Sequence, residues 1–228
     1  MHKGSPHSML VPIHREGWRF VAVFVGATAG LWWLAAPLGW AGAALTLWCA
    51  YFFRDPARAV PPEPGVIVSP ADGVVLPIEV AAPPAELDMG PALRRRISVF
   101  MNVFNVHVNR IPADGTVTAL SYRPGKFFNA SFDKASEHNE RQSVRMSTAG
   151  GHDIAFVQIA GLVARRILCQ LVPDQRVCAG ERFGLIRFGS RVDLYLDDDM
   201  ELMVRAGEHA IGGETILARE RPAPGSGP

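Results

Sequence analysis

The chain has 228 residues, 48% hydrophobic and 20% charged, enough to bury one sizeable core in one or at most two domains. Its 23 basic and 22 acidic side chains leave a formal net charge of +1, so no global field exists to hold nucleic acid. Cys49, Cys169 and Cys178 lack metal-ligand spacing and form no disulfide framework, which fits a reducing cytoplasmic location.

From Trp18 to Phe53 nearly every residue is apolar, over 36 positions. One membrane span needs about 20 residues, so the run reads as a helical hairpin turning near Pro37, Leu38 and Gly39 rather than one long tilted helix. It is too long for a cleaved signal peptide. Lys3, Arg15 and Arg19 precede it and Arg54 and Arg58 follow, which by the positive-inside tendency keeps both flanks cytoplasmic. A buried helix pair in a soluble core is the competing interpretation.

After Pro56 the composition changes. Pro61, Pro62, Pro64 and Gly65 make a stiff connector, and short β-branched runs follow. Residues 66–69, 74–80, 97–111, 116–122, 143–148, 153–159, 166–171, 185–188 and 192–196 read as strands separated by Gly, Pro and Asp. The expected fold is mainly β, a compact sandwich or barrel-like domain of short hairpins preceded by the N-terminal hydrophobic membrane hairpin. The expected boundaries are 1–16 for a cytoplasmic segment, 17–54 for the membrane-embedded segment, 60–220 for the β domain and 221–228 for a disordered tail. Residues 130–140 are the one place for a short helix or long loop.

Within 97–111, ISVFMNVFNVHVNRI, strict alternation would set Asn105, His107 and Asn109 on one face. A solvated face explains the asparagines too, but such faces usually carry Lys, Glu and Thr. In VSPADGVV, Asp72 sits in a turn, where an aspartate ordinarily caps its own backbone, and PADG recurs at 112–115. Gly-Ser occurs at 4–5, 189–190 and 225–226, so the dipeptide alone carries no weight. Only Gly189-Ser190 interrupts an otherwise alternating β-ribbon, where the surrounding structure can hold a strained peptide at a cost of about 1 to 3 kcal/mol. A serine so placed can attack its own preceding carbonyl. The N-to-O shift gives an ester, β-elimination frees the upstream chain, and the dehydroalanine left behind hydrolyses to a pyruvoyl group with loss of ammonia. A base is required, and His107 oriented by Asp72 is the obvious supply.

Taken together, RFGSRVDLYL, SPADGVV, FMNVFNVHVNRIP, PGKFFNASFDKASEHNER and QIAGLVARRI resemble the short form of phosphatidylserine decarboxylase over most of residues 50–220. The resemblance implies a pyruvoyl-dependent lyase at the cell membrane, made as a proenzyme, that converts phosphatidylserine to phosphatidylethanolamine and CO2. It assigns the cut to Gly189-Ser190 and the pyruvoyl cofactor to Ser190. The large fragment, 1–189, and the small one, 190–228, are expected to stay associated, and copies of the chain to form a homo-oligomer. Longer members pair two histidines as H-x-x-H, whereas this chain reads His107-Val108-Asn109-Arg110, so His107 covers both jobs or shares them with His138. In the implied chemistry the pyruvoyl ketone forms a Schiff base with the lipid's serine amine, and His107 returns a proton to the α-carbon. Asn105, Asn109, Arg110 and Arg141 are candidates for binding substrate, with Lys126 a further cation for the lipid phosphate. Two other classes compete. A lipoyl- or biotin-carrier-like module or membrane-anchored scaffold would need a displayed lysine to be a carrier, and none follows Lys134. A metal hydrolase would use His107, Asp133, His138 and His152, whose spacing matches no tight ligand motif.

Overall fold

The computed structural model describes residues 11–125, 139–161, 166–187 and 190–221. The chain divides into two units, Met1–Ala57 and Arg58–Pro228. The first holds two helices, α1 (Gly17–Leu34) and α2 (Ala36–Phe52), joined through Ala35 in extended conformation. The reversal comes two residues before the expected Pro37, which starts α2 instead of breaking a helix. Proline suits the first helical turn, where its missing N–H costs nothing. The helices approach closely where side chains are small. A Cβ at Gly42 would lie 3.1 Å from the Thr28 Cα, and the Thr28 and Thr46 hydroxyls meet 3.0 Å apart. Backbone bonds from His14 N–H to Phe53 O, 2.8 Å, and from Asp55 N–H to Pro12 O, 2.7 Å, fasten the open end. Trp18, Trp33, Leu34, Trp40 and Leu47 face outward and exposed, and α1 is long and apolar enough to cross a membrane.

The second unit is built from fifteen strands among the described residues: β1 (Val66–Val68), β2 (Gly73–Val75), β3 (Glu79–Ala81), β4 (Arg94–Met101), β5 (Val108–Arg110), β6 (Gly115–Arg123), β7 (Arg141–Thr148), β8 (Asp153–Ala160), β9 (Ile167–Cys169), β10 (Arg176–Val177), β11 (Arg182–Ile186), β12 (Ser190–Leu196), β13 (Glu201–Leu202), β14 (His209–Ala210) and β15 (Ile216–Arg219). The principal sheet runs β10-β6-β7-β8-β12-β4-β2-β14, with β3 also on β4. Two small sheets run β1-β15-β13 and β5-β11-β9. Every pairing is antiparallel and no sheet closes into a barrel among the described residues. The mainly β expectation is therefore met, with open sheets around one core.

That core gathers Ile97, Val99 and Met101 of β4, Phe156 and Ala160 of β8 and Val192 and Leu194 of β12. Against them come Phe183 and Ile186 of β11, Ile167 of β9 and Leu217 of β15. A smaller cluster on the other face of the principal sheet includes Tyr195, Val157 and Ile159 under Leu87 of a 3-10 turn, Ala85–Leu87.

Two expected strands are broken. Residues 74–80 split into β2 and β3 around Pro77, which lacks the N–H a ladder needs. Residues 97–111 split into β4 and β5 around a turn in which Asn105 N–H bonds Asn102 O at 3.0 Å. The two asparagines close that turn with their side chains: Asn102 Oδ1 accepts from Phe104 N–H at 2.8 Å, and Asn105 Oδ1 from Asn102 N–H at 2.9 Å. The shared face expected for Asn105, His107 and Asn109 is corrected accordingly. Residues 130–138, most of the expected helix or loop at 130–140, lie outside the described residues.

Candidate active site

Ser190 opens β12, a strand buried at every position between β4 and β8. It registers with Met101 on one side and Ala160 on the other and is fully buried. Its hydroxyl points into the core layer. Among the described residues its one hydrogen-bond partner is the Met101 thioether, 3.8 Å away, a weak acceptor that leaves the oxygen uncommitted. Gly189 and Phe188 lie outside the described residues, so the expected cut is bracketed by its two described flanks. Upstream, Ile186 N–H bonds the carbonyl of His107 at 3.3 Å. Downstream, Ser190 is held in the sheet.

His107 is fully buried just before β5. Its Nδ1 lies 2.9 Å from the Asn105 carbonyl oxygen, which can only accept, so Nδ1 carries the proton and in the neutral ring Nε2 is the basic nitrogen. Asn105 thus serves through its backbone, while its side chain closes the turn. Asn109, on β5 and fully buried, donates from Nδ2 toward the same Met101 sulfur at 3.8 Å and accepts from Gln158 Nε2 at 2.8 Å. Ser190, Met101, Asn109 and Gln158 therefore form one polar island inside an apolar core.

Asp72 is engaged elsewhere. Its carboxylate takes the Arg58 guanidinium at 2.6 Å and the Gly212 N–H at 2.8 Å, and makes no hydrogen bond to His107. The imidazole orienter is the Asn105 carbonyl rather than this carboxylate. Asp72 still touches the site through the backbone, since its turn presents Pro70 O to Arg110 N–H at 2.9 Å. Arg110 is buried, with its guanidinium on Gly180 O at 2.8 Å. Arg141 is nearly buried and paired with Glu86 at 2.8 Å. Burial alone would raise the Glu86 carboxyl, but a backbone N–H, Arg141 and Ser143 outweigh it and hold its pKa below the usual value. Both arginines expected to meet the lipid phosphate are thus committed to protein partners. Lys126, Asp133 and His138 lie outside the described residues. His152 stands near Asp197 and Asp199, at 3.6 and 3.7 Å, rather than near His107.

On the opposite face of β12, alternation puts Arg191, Asp193 and Tyr195 together. Arg191 and Asp193 form a fully buried ion pair of 2.7 Å. Burial works against the Arg96 charge, but Asp193, Tyr195 and Glu79 around it hold its pKa above the ordinary range. The Tyr195 hydroxyl is pushed up to about 12, first by burial and then by Asp193. Sequence reasoning missed Gln158, Arg191 and Asp193. Their one signal is a polar residue within a strand whose neighbours leave no solvent face.

Residues 45–218 match the family model described as phosphatidylserine decarboxylase. The chain belongs to the phosphatidylserine decarboxylase family. Relatives named phosphatidylserine decarboxylase proenzyme agree across almost the whole chain. One from Paramagnetospirillum magneticum is 62% identical over 91% of this chain and 86% of its own length. One from Cereibacter sphaeroides is 58% identical over 92% and 91%, and one from Rickettsia bellii 57% identical over 90% and 89%. Family membership makes the chain a decarboxylase and sets aside the carrier, scaffold and metal-hydrolase readings.

Proposed function

We propose that the chain cuts itself between Gly189 and Ser190, converts Ser190 to a pyruvoyl group and uses it to decarboxylate phosphatidylserine to phosphatidylethanolamine and CO2. The observation that carries this reading is Ser190: a fully buried serine at the start of a central strand, its hydroxyl free of any strong acceptor among the described residues. The fully buried position of Ser190, between its register partners Met101 and Ala160, also suits a pyruvoyl group, which is no larger than serine and carries no charge.

In self-cleavage the Ser190 Oγ bonds to the Gly189 carbonyl carbon as the C–N bond breaks. Elimination then releases the Gly189 carboxylate, and water displaces ammonia from the remaining fragment. His107 supports the first step as the base, because the Asn105 carbonyl keeps its proton on Nδ1 and leaves Nε2 to accept. Asn109 offers an amide N–H to oxygen that gains charge, in a site where a dipole acts unscreened. Asp72, paired with Arg58, steadies the turn whose Pro70 carbonyl holds Arg110 at the end of β5. A pyruvoyl group at position 190 would supply an electron sink for the pair left as CO2 departs. His107 then returns a proton to the product carbon.

The outward tryptophans and leucines of α1 and α2 support insertion of this pair in the membrane, with the antiparallel turn keeping both flanks on one side. Arg15, Arg19, Arg54 and Arg58 favour the cytoplasmic side. The test is Ser190→Ala: we expect a single uncut chain without activity on phosphatidylserine vesicles. Retained activity would refute the reading.

A further inference from the structure

Gln158 is the one carboxamide-bearing side chain of β8, and it lies in the core on the same face of the strand as Ala160, the register partner of Ser190. Both protons of its Nε2 are used, one toward Asn109 Oδ1 at 2.8 Å and one toward Leu168 O at 3.3 Å. This fixes which way the Asn109 amide faces. Turned by half a rotation, Asn109 would set its own NH2 against that of Gln158, donor against donor, between two fully buried side chains. The observed orientation instead sends Asn109 Nδ2 to Met101 Sδ, the sulfur that also meets Ser190 Oγ, both at 3.8 Å. A thioether holds such a donor weakly, so the N–H stays available for a better acceptor.

Two details keep Gln158 itself in place. A Cβ at Gly184 would lie 2.9 Å from Gln158 Nε2, so β11 passes against the amide at a distance only glycine allows. Gln158 Oε1 is buried and has no hydrogen-bond partner among the described residues. An acceptor left without a donor is destabilising, and an apolar side chain of similar size would avoid that cost, so the glutamine is a poor solution for stability alone.

We propose that Gln158 is a positioning residue for self-cleavage: its amide locks Asn109 so that Nδ2 faces the Ser190 side of the polar island. This rests on the proposed cut at Gly189-Ser190. There, charge grows on the Gly189 carbonyl oxygen as Oγ adds, and a donor already turned toward the reacting serine needs no reorganisation.

The experiment follows the conversion of full-length chain to fragments after cell-free synthesis into phospholipid vesicles, by intact mass against time. Gln158→Leu, Asn109→Leu and the double variant are compared, with urea midpoints measured for each in a Ser190→Ala background. Gln158→Leu is expected to cut about 10- to 100-fold more slowly than the parent, less than the 10² to 10³ typical for outright loss of an oxyanion donor. The double variant is expected to be no slower than Asn109→Leu alone, because Gln158 acts through Asn109. Cutting by Gln158→Leu at the parental rate would overturn the proposal. So would slowing that multiplies in full with that of Asn109→Leu. If Gln158→Leu fails to fold, Gln158→Met decides, since it keeps the length of the side chain without the amide and leaves Asn109 in place. Slow cutting by folded Gln158→Met supports the proposal, and parental cutting overturns it. Fragments appearing from Ser190→Ala would instead refute the cut itself.

Discussion

In the proposed self-cleavage Ser190 is the nucleophile and His107 the base, and the backbone holds both. The serine is held by strand register and the histidine by a carbonyl two residues before it. Removing the imidazole should therefore cost proton transfer without removing the nucleophile. We expect His107→Ala to slow self-cleavage by about 10² to 10⁴, the usual contribution of a positioned acid or base, with the urea midpoint of the uncut chain measured alongside to separate this from the cost of emptying a buried site. Rapid fragment formation, measured by intact mass, would exclude His107 as the base. At this scale Ser190, His107 and Asp72 could be picked out as candidates because each sits in a segment with its own local pattern. Their relations were not. Asp72 turned out to face Arg58 because only the fold brings the connector back over its turn. Gln158 escaped notice because a lone polar residue in DIAFVQIA gives no period to read.

At the scale of the element, β12 carries its chemistry on one face and its charges on the other. Arg191, Asp193 and Tyr195 alternate with Val192 and Leu194, and because the strand is central both of its faces are covered. Tyr195 gives the buried face a measurable signature. Its folded pKa is raised from 10 to about 12, so the protonated form is favoured by folding. That contribution is complete below pH 10 and is lost as pH rises through about 12. It amounts to roughly 2 to 3 kcal/mol at 1.36 kcal/mol per unit. In a Ser190→Ala background, Tyr195→Phe should flatten the fall of the urea midpoint between pH 10 and 12; an unchanged slope would contradict the assignment. Long strands such as β7 and β8 were readable as bounded runs rich in apolar and β-branched residues, whereas β10, β13 and β14, at two residues each, are too short to show a pattern. The turn between β4 and β5 was hidden because alternation continues across it, although paired asparagines three apart mark such turns.

For the whole molecule, the proposed cut falls between strands that stay interleaved. Of the 190–228 fragment, β12 lies between β4 and β8, β14 pairs with β2 and β15 with β1, so the fragments share one core. They should co-elute after cleavage and separate only in denaturant; separation in native buffer would contradict this packing. The helix pair in the first unit was legible as an apolar run, and only its point of reversal was displaced, since proline can open a helix as readily as end one. The most direct test of the central claim is the intact mass of the small fragment from active enzyme. It should begin at residue 190 and weigh less than the serine-terminated peptide by one molecule of ammonia. A fragment with a free serine amine, or an active chain with no break after Gly189, would contradict it.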